Sequence, residues 1–143
     1  MISTHLAEAL RDAGLRWKPA SGDRFAIPQP ALVGQVFTLS EMTIEAHEYP
    51  TGTVLGFNGT TEWALDSVDK SEALWLPRED QLRELLGGTF ESLVMRPGPD
   101  GDTYVVTTRA PQPGEFEGET AADAYGLALL ALVTRALADV PPG

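Results

Sequence analysis

The apolar positions along this chain fall into short runs with two different periods. Leu6, Leu10 and Ala13 recur at i, i+4 and i+7, which is the spacing of one face of an amphipathic helix. Ser3 or Thr4 stands where an N-cap belongs, and Gly14 where a C′ glycine ends a helix. Residues 15–34 are broken by Pro19, Ser21-Gly22-Asp23, Pro28 and Pro30, leaving room only for short extended pieces such as 24–27. Residues 35–39 predict a strand, and 42–49 a clearer one. There Met42, Ile44 and Ala46 alternate with Thr43, Glu45 and His47, the period of a half-buried strand. Tyr49-Pro50-Thr51-Gly52 suits a type I turn. The β-rich run 53–57 then returns, so 42–57 predicts an antiparallel hairpin.

The second half repeats the alternation of turns, helices and hairpins. Asn58-Gly59 is a turn signal. Thr60 or Thr61 can cap a short helix running through Val68, with Glu62 placed for its dipole. Residues 73–76 form an apolar strand. Pro77 stands at a favoured first helical position, Glu79 and Asp80 follow in the first turn, and Leu82, Leu85 and Leu86 make a buried face. Gly87-Gly88 ends that helix. Residues 89–96 and 103–109 flank a loop too long for a two-residue turn and predict a second hairpin. Residues 111–118 read as a polar connector. Thr120 starts the last helix, with Asp123 at the capping-box position. From 124 to 133 this helix is apolar nearly all round, the mark of a helix central to a core. Residues 141–143 are expected to fray. The pattern predicts an α+β fold: a mostly antiparallel sheet built from hairpins, packed with an N-terminal helix, two short central helices and a buried C-terminal helix. A length of 143 residues suits one domain, placed over 1–140.

Composition narrows the chemistry. The chain has no cysteine, which excludes disulfides, zinc–thiolate sites and thiol catalysis and fits a cytoplasmic location. The first residues lack the basic-then-apolar layout of a signal peptide. The longest apolar run, 127–133, is too short to span a bilayer. The formal net charge is −11, and residues 25–69 hold six acids and no Lys or Arg. Nucleic acid and anionic membranes need cations, so both are poor partners for this chain. The acidity itself is accounted for by solubility.

Three groups of residues carry candidate chemistry, each with a plain structural alternative. Glu45 and His47 would share one face of a strand, with Tyr49 following them. Side by side they suit a general-base pair or part of a metal site, or else simply the wet face of a hairpin. Glu62, Asp66 and Asp69 come at helical spacing and suit a cation site. They equally suit the solvated side of a helix whose apolar side is Trp63, Leu65 and Val68. Trp63, flanked by Glu62 and Asp66, and Trp17, between Arg16 and Lys18, are candidate interface anchors. Their alternative is core packing, the expectation for Trp75. The chain contains no G-x-S-x-G, H-E-x-x-H, G-x-x-x-x-G-K-[ST] or G-x-G-x-x-G.

The segments LRDAGLRWKPASGDRFAIP and GFNGTTEWALDSV, followed by LWLPREDQLRELL, resemble a small uncharacterised actinobacterial protein family, over most of the chain. Sequences of that kind are sometimes described as pilus-assembly proteins. An assembly ATPase needs a phosphate-binding loop, and this chain has none. From Trp75 through the 90–109 hairpin to ETAADAYGLALLALV, the chain also resembles small phage α-β-α sandwich domains. SEALWLPREDQLRELL resembles the closing segment of Nudix hydrolases, but the Nudix box is missing, so that activity is not implied.

Taken together, these features predict a non-enzymatic cytoplasmic accessory or protein-interaction domain. Its partner would be another protein or a second copy of itself, and no cofactor is implied. The alternative is a small metal-dependent or acid/base hydrolase using Glu45, His47 and nearby carboxylates. A third possibility is an acidic mimic of nucleic acid, which needs the acids of 25–69 with Glu115, Glu117, Glu119 and Asp123 in one stripe.

Overall fold

The computed structural model describes residues 1–32, 34–39, 44–49, 52–57, 67–69 and 72–138. The chain divides into two compact units. One is Trp17–Leu76, and it interrupts the other, Met1–Arg16 with Pro77–Gly143, in sequence. The fold class is α+β, with three three-stranded antiparallel sheets among the described residues.

The inserted unit holds two of these sheets. In the first, β1 (Arg24–Ala26) lies between β2 (Phe37–Thr38) and β6 (Leu74–Leu76). The strands expected at 24–27, 35–39 and 73–76 are therefore present, and each is shorter than its apolar run. Phe25 pairs with Phe37 on one side and with Trp75 on the other, so an aromatic row crosses all three strands. Phe25 is fully buried, and its ring lies 5.5 Å from those of both Trp17 and Phe37. Ile27, Leu39 and Ala73 complete the cluster. The loop before β1 is held from inside. Buried Asp23 accepts hydrogen bonds from Trp17 Nε1 at 2.9 Å and from the Ala20 amide at 3.0 Å. A carboxylate in a core is tolerated only when donors surround it, which here closes the 17–23 turn.

The second sheet of this unit is β3 (Ile44–Tyr49), β4 (Gly52–Phe57) and β5 (Ser67–Asp69) in that order. β3 and β4 form the expected hairpin, from Ile44 opposite Phe57 to Tyr49 opposite Gly52. β5 corrects one expectation. The helix expected to run through Val68 does not include Ser67 and Val68, because Val68 pairs with Leu55 in a strand. Most of that expected helix, with the Asn58-Gly59 turn, lies outside the described residues.

The other unit carries the three α-helices found among the described residues. α1 (Thr4–Asp12) starts at Ser3, whose Oγ accepts from the Leu6 amide at 3.3 Å. Gly14, at φ 111°, ends it as expected. α3 (Ala121–Ala138) starts at Thr120, whose Oγ1 accepts from the Asp123 amide at 3.1 Å. Asp123 does not complete a capping box with Thr120. Its Oδ1 accepts the Ser3 amide at 2.8 Å and so joins the starts of the two helices. Leu6, Ala7 and Leu10 are the buried residues of α1, and Gly126 lets Leu6 come close to α3. A Cβ at Gly126 would stand 2.6 Å from Leu6 Cδ2. α3 is buried along its first half, at Ala122, Ala124, Tyr125, Ala128 and Leu129, and half-buried from Leu130 to Val133.

α2 (Glu79–Leu86) departs from expectation in two ways. Arg78, not Pro77, precedes its first turn, and the Arg78 amide donates to Gln81 Oε1 at 2.9 Å. Pro77 lies one residue earlier and is buried. Leu82 and Leu86 are buried, but Leu85 is 43% exposed, because a step of three from Leu82 turns it off the narrow apolar stripe. The last sheet is β7 (Phe90–Arg96), β8 (Thr103–Thr108) and β9 (Gly114–Gly118), with β8 in the middle. β9 replaces most of the expected polar connector 111–118. Its residues are alternately half-buried and exposed, the pattern of a strand lying on a surface.

Candidate functional site: an open sheet edge

Glu62, Trp63 and Asp66 lie outside the described residues. Glu45, His47 and Tyr49 occupy alternate positions of β3, opposite Gly56, Val54 and Gly52 of β4. Trp17 is corrected from surface anchor to core. It is buried, with its ring against Phe25 and its Nε1 bonded to Asp23. Trp75 is half-buried against the same cluster, and its Nε1 has no hydrogen-bond partner among the described residues. Two of the four acids expected in a stripe around β9 are engaged locally. Glu117 Oε1 lies 3.7 Å from Arg96 Nη1, and Asp123 bonds to Ser3. Among the described residues, no three His, Asp or Glu side chains are grouped to hold a metal ion.

The feature that does stand out is β7. It is an edge strand of seven residues, and its outer side has no strand partner among the described residues. Leu93 is 36% exposed, Val94 48% and Met95 52%. An edge with open amide and carbonyl groups and three consecutive exposed apolar side chains is a template for another strand.

The register assigns each side chain of β7 to a face. Leu93 pairs with Val106, which pairs with Phe116, and Met95 pairs with Tyr104, which pairs with Gly118. These rows share the face on which α3 packs. A Cβ at Gly118 would stand 2.6 Å from the Ala124 amide nitrogen, and Val106 is fully buried. The Phe90 end of β7 is covered on that face. Tyr125 lies 5.7 Å from the Phe90 ring, and the Arg83 guanidinium sits 4.4 Å over it, a cation–π contact. Leu93 and Met95 lie farther along the strand and stay open.

The opposite face carries Ser92, Val94 and Arg96. Phe90 pairs with Thr108 but Ser92 with Thr107, so Glu91 is the extra residue of a β-bulge. Glu91 Oε1 lies 3.9 Å from Arg109 Nε, on the face that also holds the Arg96–Glu117 pair. Both pairs are exposed and add little stability. Their effect is to place an acid at one end of the edge and a base at the other, on one face. Bulges and charges are the usual protection of an edge strand. Here the bulge stands only at the start of β7, and 92–96 is left regular and open.

No protein-family model, no curated protein and no solved structure matches this chain. Among the described residues no helix is long and apolar enough to cross a membrane.

Proposed function

We propose that this protein is a non-enzymatic interaction domain that docks a protein partner by adding a strand to the open edge of β7. The observation that carries the reading is the run Leu93-Val94-Met95, exposed on an edge with no strand partner among the described residues rather than scattered over a surface. In such docking, main-chain hydrogen bonds supply affinity and alternate side chains supply selectivity. Leu93 and Met95 would read apolar residues of the added strand on the α3 face, and Val94 would read the other face. The absence of cysteine fits a cytoplasmic setting. The test is affinity capture from the native cell with the wild type, Leu93→Lys/Met95→Lys and Trp63→Ala. The expected result is a specific partner kept by Trp63→Ala and lost by the double lysine variant with an unchanged circular dichroism spectrum. Retention of every specific partner by the double variant would refute docking at β7.

A further inference from the structure

We infer that the strand added to β7 is the β7 of a second copy, giving a two-fold antiparallel dimer centred on Val94; this rests on the edge-docking reading above. The bulge at Glu91 and the loop that begins at Pro97 bound the regular segment of β7 to 92–96, and its midpoint is Val94. An antiparallel pair built by a two-fold axis perpendicular to the sheet keeps each face on its own side. Centred on Val94, it sets Val94 opposite Val94, Leu93 opposite Met95 and Ser92 opposite Arg96. Apolar side chains then meet on the α3 face at both Leu93–Met95 pairs.

Charge complementarity names the occupant. Glu91 and Arg96 lie on the same face, at opposite ends of the strand, as their pairs with Arg109 and Glu117 show. Antiparallel self-pairing brings Glu91 of each copy beside Arg96 of the other, twice over. The chain carries −11, so two copies repel over much of their surface. β7, with one acid and one base, is locally neutral and matches its own reverse. Closed two-fold contacts are isologous, so one patch serves both sides. A strand pair of this length makes a small interface, and the dimer is therefore expected to be weak and concentration-dependent.

Sedimentation velocity at low salt tests this with Glu91→Arg, Arg96→Glu and Met95→Lys, each checked for an unchanged circular dichroism spectrum. The wild type should shift from monomer to dimer as concentration rises. Each charge reversal alone should weaken the dimer about tenfold or more, because like charges then meet at both ends. An equimolar mixture of the two reversals should recover a heterodimer, since an all-acid edge then faces an all-base edge. Met95→Lys should remain monomeric, alone or mixed with either reversal. A wild type that stays monomeric at all concentrations overturns the self-pairing, as does a dimer indifferent to both reversals or a mixture that fails to associate. A monomeric wild type that still loses a captured partner on Leu93→Lys/Met95→Lys sinks only the self-pairing and leaves edge docking standing. Retention of every partner sinks both.

Discussion

At the scale of single residues, several side chains are fixed by a partner distant in sequence or by a short loop. Asp23 is the clearest. Its buried carboxylate takes the Trp17 indole N–H inside the core and the Ala20 amide at the core's edge. Asp23→Ala leaves the buried Trp17 indole N–H without this acceptor, and it is expected to cost about 1–3 kcal/mol, read as a lower urea midpoint by tryptophan fluorescence. Asp80 illustrates the opposite, exposed case. A hydrogen bond from Arg78 Nε at 3.2 Å holds its carboxyl below the ordinary carboxylate range. The folded value is lowered, so the contribution is present above the ordinary range and is lost as pH falls through the lowered value. In Arg78→Ala the Asp80 carbon resonance should titrate at higher pH than in the wild type; an unmoved titration would show that Arg78 is not the cause. Trp17 shows where residue-level reading stops. Its charged neighbours Arg16 and Lys18 suggested exposure, but the Asp23 carboxylate that draws it inward is six residues away.

At the scale of elements, the periods in the sequence located α1, α2, α3 and most strands among the described residues. α1 and the end of α2 obey their caps and glycines, and the β3–β4 and β7–β8 hairpins follow alternation and turn chemistry. β9 was missed because Gly114-Glu115-Phe116-Glu117-Gly118 offers one apolar residue to a period of two. It becomes a strand because β8 supplies a ladder and Phe116 lands beside Val106. β5 differs for a similar reason: Ser67 and Val68 have a capped helical spacing before them, yet β4 pairs with them. Gly118 then sits where β9 meets the first turn of α3. A Cβ there would strike backbone, at 2.6 Å from the Ala124 nitrogen and 3.0 Å from the Thr120 carbonyl oxygen. Gly118→Ala should therefore cost about 1–3 kcal/mol. Gly126→Ala should cost less, because the atoms nearest its Cβ belong to the side chains of Leu6 and Ile2 rather than to backbone and the helix gains about 1 kcal/mol from alanine. Thermal melts of the two variants check that order, and equal melting temperatures would contradict it.

At the scale of the whole molecule, the two units carry different spectroscopic signals. Trp17, Trp63 and Trp75 all fall in Trp17–Leu76, while α1, α2 and α3 all fall in the other unit. Tryptophan fluorescence thus reports one unit, and among the described residues the α-helical circular dichroism band comes from the other. Because the Asp23 carboxylate bonds to Trp17 and Ala20 within Trp17–Leu76, Asp23→Ala is expected to lower the fluorescence midpoint more than the dichroism midpoint. Equal shifts in both signals would argue against that separation. The sequence by itself determined the α+β class, both ends of α1, the end of α2, the start of α3 and the hairpins, since these depend on periods and caps within a few residues. It also supplied the acidity and the candidate residues Glu45, His47, Glu62, Trp63 and Asp66. Tertiary structure alone decided that Trp17 is core, that 114–118 is a strand and that β7 is an edge. Strand order and burial depend on partners far away in the chain, and Leu93-Val94-Met95 has the same spelling in the middle of a sheet as on its rim.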